Sequence, residues 1–109
     1  MVGFNDYQAA TESTAVYPKD KALEYLVLGL TSEAGEVAGK LKKIIRDNES
    51  VVGVHEAQVI CKELGDVLWY IAQIALELNT TLEAVAMMNI DKLADRKNRG
   101  VIAGSGDSR

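Results

Sequence analysis

The chain has 109 residues, enough for one compact domain, and its 48% hydrophobic content supports a core without disulfides or a structural metal. A net charge of −4 and a pI near 4.9 argue against a general nucleic-acid binder, which needs a basic face to neutralise phosphates. The lone cysteine, Cys61, permits no intramolecular disulfide and the lone histidine, His55, no histidine-rich zinc site, so a reducing, cytoplasmic setting is expected.

Met1-Val2-Gly3-Phe4-Asn5-Asp6 lacks the basic and apolar regions of a signal peptide. A first helix is predicted from about Asp6 to Ala15, with Asn5 as N-cap and Gln8 completing a capping box, ending before Tyr17-Pro18. On it, Gln8 and Thr11 are candidates to close a pocket.

A second helix is predicted from after Asp20 to about Arg46, because Leu23, Leu26, Val27, Leu30, Ala34, Val37, Leu41 and Ile44 recur in steps of three and four. The polar, Gly-containing stretch 47–53 reads as a loop. The third helix, about His55 to Leu78, carries Val67, Leu68, Trp69, Tyr70, Ile71, Ile74, Ala75, Leu76 and Leu78 on almost every side. Such a helix must be central, and with three others in the chain its covering points to a second subunit. Val67 to Ala72 is the longest apolar run and is too short to cross a bilayer, so no membrane partner is expected. Cys61 reads as a small buried hydrophobe and His55 as a surface or cap residue.

A fourth helix opens with Thr80 and Glu83 as a capping box, carries Leu82, Val85, Ala86, Met88 and Leu93, and runs to about Asn98, where Gly100 stops it. Gly104 to Arg109 reads as a tail ordered only by a ligand or a neighbour. Residues 92–109 hold five basic side chains against two acidic ones, a local +3 that leaves −7 for the rest. The basic end suits polyphosphate oxygens and equally suits a solvated tail.

The chemistry concentrates in four carboxylates. Glu33 lies three after Leu30 and four before Val37, on the apolar stripe, with Glu36 one turn on; Glu63 and Asp66 fall likewise between Val59 and Tyr70. The 26 residues between Glu36 and Glu63 allow an antiparallel return that makes the pairs face each other. Gathered in a groove, four carboxylates repel and need a cation, and an all-oxygen set favours magnesium, with manganese as a possible substitute, over zinc. The competing reading is exposed acids paired with lysines such as Lys40 and Lys62. Ala34, Gly35 and Gly65 between the carboxylates fit close helix approach around a metal or ordinary tight packing. Asn89, also on an apolar stripe, continues through Lys92 and Arg96 as a polar line that fits phosphate and sugar contacts or a solvent-facing edge. Trp69 and Tyr70 either stack on a base or belong to the core.

The pairs Glu33-Ala34-Gly35-Glu36 and Glu63-Leu64-Gly65-Asp66, then Val67-Leu68-Trp69-Tyr70 and Asn89-Ile90-Asp91-Lys92-Leu93, resemble the MazG-like all-alpha nucleoside triphosphate pyrophosphohydrolases from about Tyr7 to Asp107. The resemblance implies an all-α, four-helix bundle-like MazG-type fold as one domain over 1–109, and an oligomer, dimer or tetramer, with sites near subunit interfaces. It implies magnesium held by Glu33, Glu36, Glu63 and Asp66, and cleavage of a (deoxy)nucleoside triphosphate to monophosphate and pyrophosphate. Asn89 and Lys92 would contact the nucleotide, with Arg96, Arg99 and Asp107 less firmly carried over because the family varies there. No Ser, Cys or His is placed as a nucleophile, so water is the expected attacker, with Glu36 or Glu63 orienting it. The rivals are a non-catalytic helical module that binds a metal or basic partner, and an enzyme acting on a modified nucleotide or an alarmone.

Overall fold

A computed structural model describes residues 2–109 and contains four α-helices and, among those residues, no strand: α1 Phe4–Thr11, α2 Ala22–Asp47, α3 Val54–Glu77 and α4 Leu82–Arg99. No helix is long and apolar enough to cross a membrane among the described residues.

The expected helix order holds, and the differences lie at the caps. α1 starts two residues earlier than predicted, because Gly3 is its N-cap and the Gly3 N–H donates to Asp6 Oδ2 at 3.3 Å. Asn5 is instead spent across the fold, where its Nδ2 donates to Glu83 Oε2 at 2.9 Å. α1 also ends at Thr11, and the chain tightens into a 3₁₀ turn at Glu12–Thr14. For α4 the cap is Thr81 rather than Thr80: Thr81 Oγ1 accepts the Ala84 N–H at 3.0 Å. Gly100 closes α4 with φ of 72°, a left-handed conformation that glycine adopts without strain.

α2 and α3 form an antiparallel hairpin that is the main packing of the chain, and α1 and α4 pack at the end where α3 finishes. Polar groups fasten α1 there. Gln8 Nε2 donates to the Ala72 and Thr80 carbonyls, and Gln8 Oε1 accepts the Leu82 N–H at 2.9 Å, so one buried side chain ties α1 to α3 and α4. The Thr11 hydroxyl donates to the Gln8 carbonyl and accepts from Gln73 Nε2 at 2.6 Å. Gln8 and Thr11 are therefore buried clamps and do not line the cleft described below.

The buried apolar centre is small: Tyr17, Ala22 and Leu26, with Ala15, Trp69, Tyr70 and Ile74 against them. The Tyr17 hydroxyl reaches Gln73 Oε1 and Glu77 Oε1, and burial followed by Glu77 pushes its pKa up to about 12. α3 is central, as expected, yet only Ala72, Gln73 and Ala75 are fully buried on it. Leu76 and Leu78 stay exposed, as do Leu28 on α2 and Met88 and Ile90 on α4. Cys61 is exposed, contrary to expectation, because it lies on the side of α3 turned away from α2's stripe. Residues 101–109 fold back on α4, where Arg96 and Arg109 bond main-chain carbonyls of this segment.

Candidate metal centre

The α2–α3 hairpin brings Glu33, Glu63 and Asp66 together: each offers an oxygen, and these oxygens lie within 4.8 Å of one another. Antiparallel pairing turns the two helix stripes inward, and a carboxylate standing on each stripe is carried to the same place. Glu33 and Glu63 are half-buried and Asp66 is exposed. Glu36, one turn beyond Glu33, is exposed and lies outside this triad. Its charge is still felt there. The Glu33 carboxyl is raised above its ordinary value by burial first, then by Asp66, Glu63 and Glu36.

Two tests of fit can be made on these atoms. Oxygens across an octahedral magnesium stand about 4.2 Å apart or closer, so small side-chain adjustments gather this triad around an ion. Burial first and then the neighbouring carboxylates raise the Glu33 carboxyl, and a cation at the triad would offset both. The lysine reading is also partly present: Lys40 Nζ stands 3.8 Å from Glu63 Oε1. One ammonium does not balance four carboxylates. Lys62 makes no ion pair among the described residues.

Beside the triad opens a cleft of about 390 Å³ lined by Thr14, Glu33, Asp66, Trp69 and Tyr70. Its aromatic wall is fixed from behind. Trp69 and Tyr70 meet edge to face at 5.0 Å, Trp69 meets Tyr17 the same way at 6.4 Å, and Trp69 Nε1 donates to Thr14 Oγ1 at 2.8 Å. Trp69 and Tyr70 pack against the core and also present surface to the cleft.

Glycine has a definite role, at a position other than those expected. A Cβ on Gly29 would lie 2.1 Å from Tyr70 Cε1, so the tyrosine ring can rest against α2 only where a side chain is missing. Gly35 and Gly65 face open space, so neither marks a close helix approach within the chain. Thr14, Gly29 and Tyr7 escaped the sequence reading. Tyr7 leans toward the acidic cluster, its hydroxyl 3.5 Å from the Gly65 carbonyl and its pKa raised by burial and then by Asp66. Only Gly29 had a sequence signal, a glycine inside a helical pattern.

The polar line on α4 lies apart from the triad. Asn89 and Lys92 border a separate groove of about 330 Å³ with Val85 and Met88. Arg96 is buried at 5% exposure and directs Nη2 to the Asp107 carboxylate at 3.2 Å, so its guanidinium is engaged within the chain. Lys92 Nζ stands 3.4 Å from the same carboxylate.

The chain is all-helical among the described residues and gathers acidic side chains from two antiparallel helices beside an aromatic cleft. Residues 21–101 match the MazG nucleotide pyrophosphohydrolase domain. The chain is also similar to the Gene 37 protein of Mycobacterium phage L5, 46% identical over 109 residues that cover 94% of this chain and 96% of that protein. No solved structure matches the chain. The chain belongs to the MazG nucleotide pyrophosphohydrolase family.

Proposed function

We propose that this chain, as a single domain over 1–109, is a magnesium-dependent hydrolase that cleaves a (deoxy)nucleoside triphosphate to the monophosphate and pyrophosphate, in nucleotide-pool control or house-cleaning in a cytoplasmic setting. The observation that carries the reading is the Glu33–Glu63–Asp66 triad standing at the mouth of an aromatic-walled cleft. Glu33, Glu63 and Asp66 hold magnesium, with manganese as a substitute, and Glu36 completes the set by a rotation of its exposed side chain. When bound, the ion supplies charge neutralisation on the phosphates and acidifies the attacking water. Glu36 or Glu63 would orient the attacking water. Trp69 and Tyr70 offer ring surface to the base, and their cleft keeps bulk water from one side of the reacting phosphate. Asn89 contacts the nucleoside, while Lys92, steadied by its neighbours, and Arg96 set positive charge toward the outer phosphates and so favour pyrophosphate as the leaving group.

Asn89 and Lys92 line a different groove from the triad, so the full set is assembled across a homo-oligomeric interface, dimer or tetramer. The shape of the chain supports this. Its radius of gyration is 16.8 Å, against about 13 Å for a compact domain of this length. It exposes 7743 Å², against about 5,900 Å² for a monomer of its mass. The excess, about 1,800 Å² per chain, is of the size that obligate dimers bury. A groove lined by Leu30, Ile71, Ile74, Ala75, Leu78, Thr80 and Val85 is the natural seat for the second copy. Light scattering at micromolar concentration should give at least a dimer; a clean monomer contradicts the assembled site.

The experiment is a panel of ordinary, modified and polyphosphorylated nucleotides incubated with magnesium and read for monophosphate and pyrophosphate. Turnover of at least one nucleotide, abolished by chelation, supports the proposal. Binding without turnover across the panel moves the chain to the non-catalytic reading, and turnover confined to an alarmone or modified nucleotide changes the substrate class.

A further inference from the structure

The cations of α4 are held by an unusual device. Residues 104–109 form a hook whose Asp107 carboxylate reaches back to Lys92 Nζ at 3.4 Å and to Arg96 Nη2 at 3.2 Å, although the carboxylate itself is 87% exposed. The hook is pinned at its far end. Arg109 Nε donates to the Val101 carbonyl at 3.0 Å, its Nη2 to the Ile102 carbonyl at 3.1 Å and its Nη1 to the Gly106 carbonyl. Arg99 is tied in as well, donating to the Arg109 carbonyl while pairing with Asp95.

Two features leave positive charge in this cluster incompletely compensated. Lys92 and Arg96 carry two positive charges against the one of Asp107. Arg96 is also more than nine-tenths buried, and its Nε has no hydrogen-bond partner among the described residues. An unpaired buried guanidinium N–H is costly, and it leaves the charge of Arg96 less than fully compensated within the fold. Phosphate oxygens fit the net positive charge of the pair. A segment meant only to be swept aside by substrate would not be fastened by three guanidinium bonds to main-chain carbonyls.

We propose that Asp107 is a positioning residue for polyphosphate binding, holding the Lys92 ammonium and the Arg96 guanidinium as a preformed anion-receiving pair, with Arg109 as the pin that keeps Asp107 in place. The inference deepens the proposed function and rests on its assignment of Lys92 to the outer phosphates. Lysine is a point charge on a flexible stem, so fixing it before the substrate arrives lowers the entropy lost on binding.

The sign of the effect separates positioning from competition. Removing a negative charge beside an anion site should tighten anion binding if Asp107 merely competes, and should weaken it if Asp107 positions the cations. Inorganic tripolyphosphate is titrated calorimetrically into the full chain, the Asp107→Asn variant and the Arg109→Ala variant, and KM and kcat are measured with the best nucleotide of the panel. The expected result is a Kd for tripolyphosphate weakened about tenfold in Asp107→Asn, the effect of one charge-assisted hydrogen bond, with a smaller shift the same way in Arg109→Ala. KM should rise more than kcat falls, Asp107→Glu should recover part of the loss, and the magnesium-induced rise in Tm should be unchanged. Unchanged or tighter tripolyphosphate binding in folded Asp107→Asn, or in Arg109→Ala should the first variant not fold, overturns the inference, as does a parent chain that does not bind tripolyphosphate. If the parent turns over no nucleotide but binds tripolyphosphate in an Asp107-dependent way, the catalytic reading fails and the positioning role stands.

Discussion

The α2–α3 hairpin and the end of α4 treat charge in opposite ways. Between α2 and α3, three carboxylates crowd within 4.8 Å and one lysine stands nearby. Along α4 and its tail, Lys92 and Arg96 share the single carboxylate of Asp107, and Arg99 pairs with Asp95. The first region gains from an added cation, and the second still has room for an anion. Under the proposed function a metal-bound polyphosphate satisfies both.

The contrast breaks most visibly at Glu63. In Glu63→Gln the triad loses one ligand and one unit of repulsion, so the metal-free protein should keep or slightly raise its Tm while the magnesium-induced rise shrinks. Activity should fall by more than about 100-fold, beyond the 10–100-fold typical of an outer-shell partner. A variant with parental magnesium response and rate would reduce the cluster to a solvated acidic face.

A second test asks whether the cleft wall is as rigid as its packing implies. Gly29→Ala forces a Cβ into the Tyr70 ring, and the displaced ring should cost about 1–3 kcal/mol of stability. Combining it with Tyr70→Leu should return part of that loss, since contacting sites are not additive. Additive losses in the double variant would show that the ring does not rest on Gly29.

The smallest effect is expected at Gly35, which also lies on α2 and faces open space within the chain. Gly35→Ala should stabilise by about 0.5–1 kcal/mol, the helix-propensity gain. A loss of stability or of oligomeric state would place a second subunit against that backbone.

Much of the site was legible because charge on an apolar stripe is a conflict that a sequence displays openly. Glu33 and Glu63 interrupt the spacing of Leu30, Val37, Val59 and Val67, and the fold resolves the interruption by placing them together. Helix order was legible for the same reason of periodicity. Caps were not, since several residues at a helix start can satisfy the free N–H groups, and the chain chose Gly3 with Asp6 and Thr81 over Asn5 and Thr80. Gln8 and Thr11 looked available for a pocket, but their partners, Gln73 and the Ala72 carbonyl, are 60 to 70 residues away and known only after folding. The tail shows the same limit. Its glycines and serines read as loose, and the arginines that order it are neighbours only once α4 has turned back on it.

Under the proposed function, the carboxylate cluster and the α4 cations would direct water to the α-phosphorus, with pyrophosphate leaving. Hydrolysis in oxygen-18 water followed by mass spectrometry of the products tests it most directly. The label should appear in the nucleoside monophosphate and be absent from pyrophosphate. Label in pyrophosphate, or release of nucleoside diphosphate with orthophosphate, would contradict that division of charge even if the metal site were confirmed.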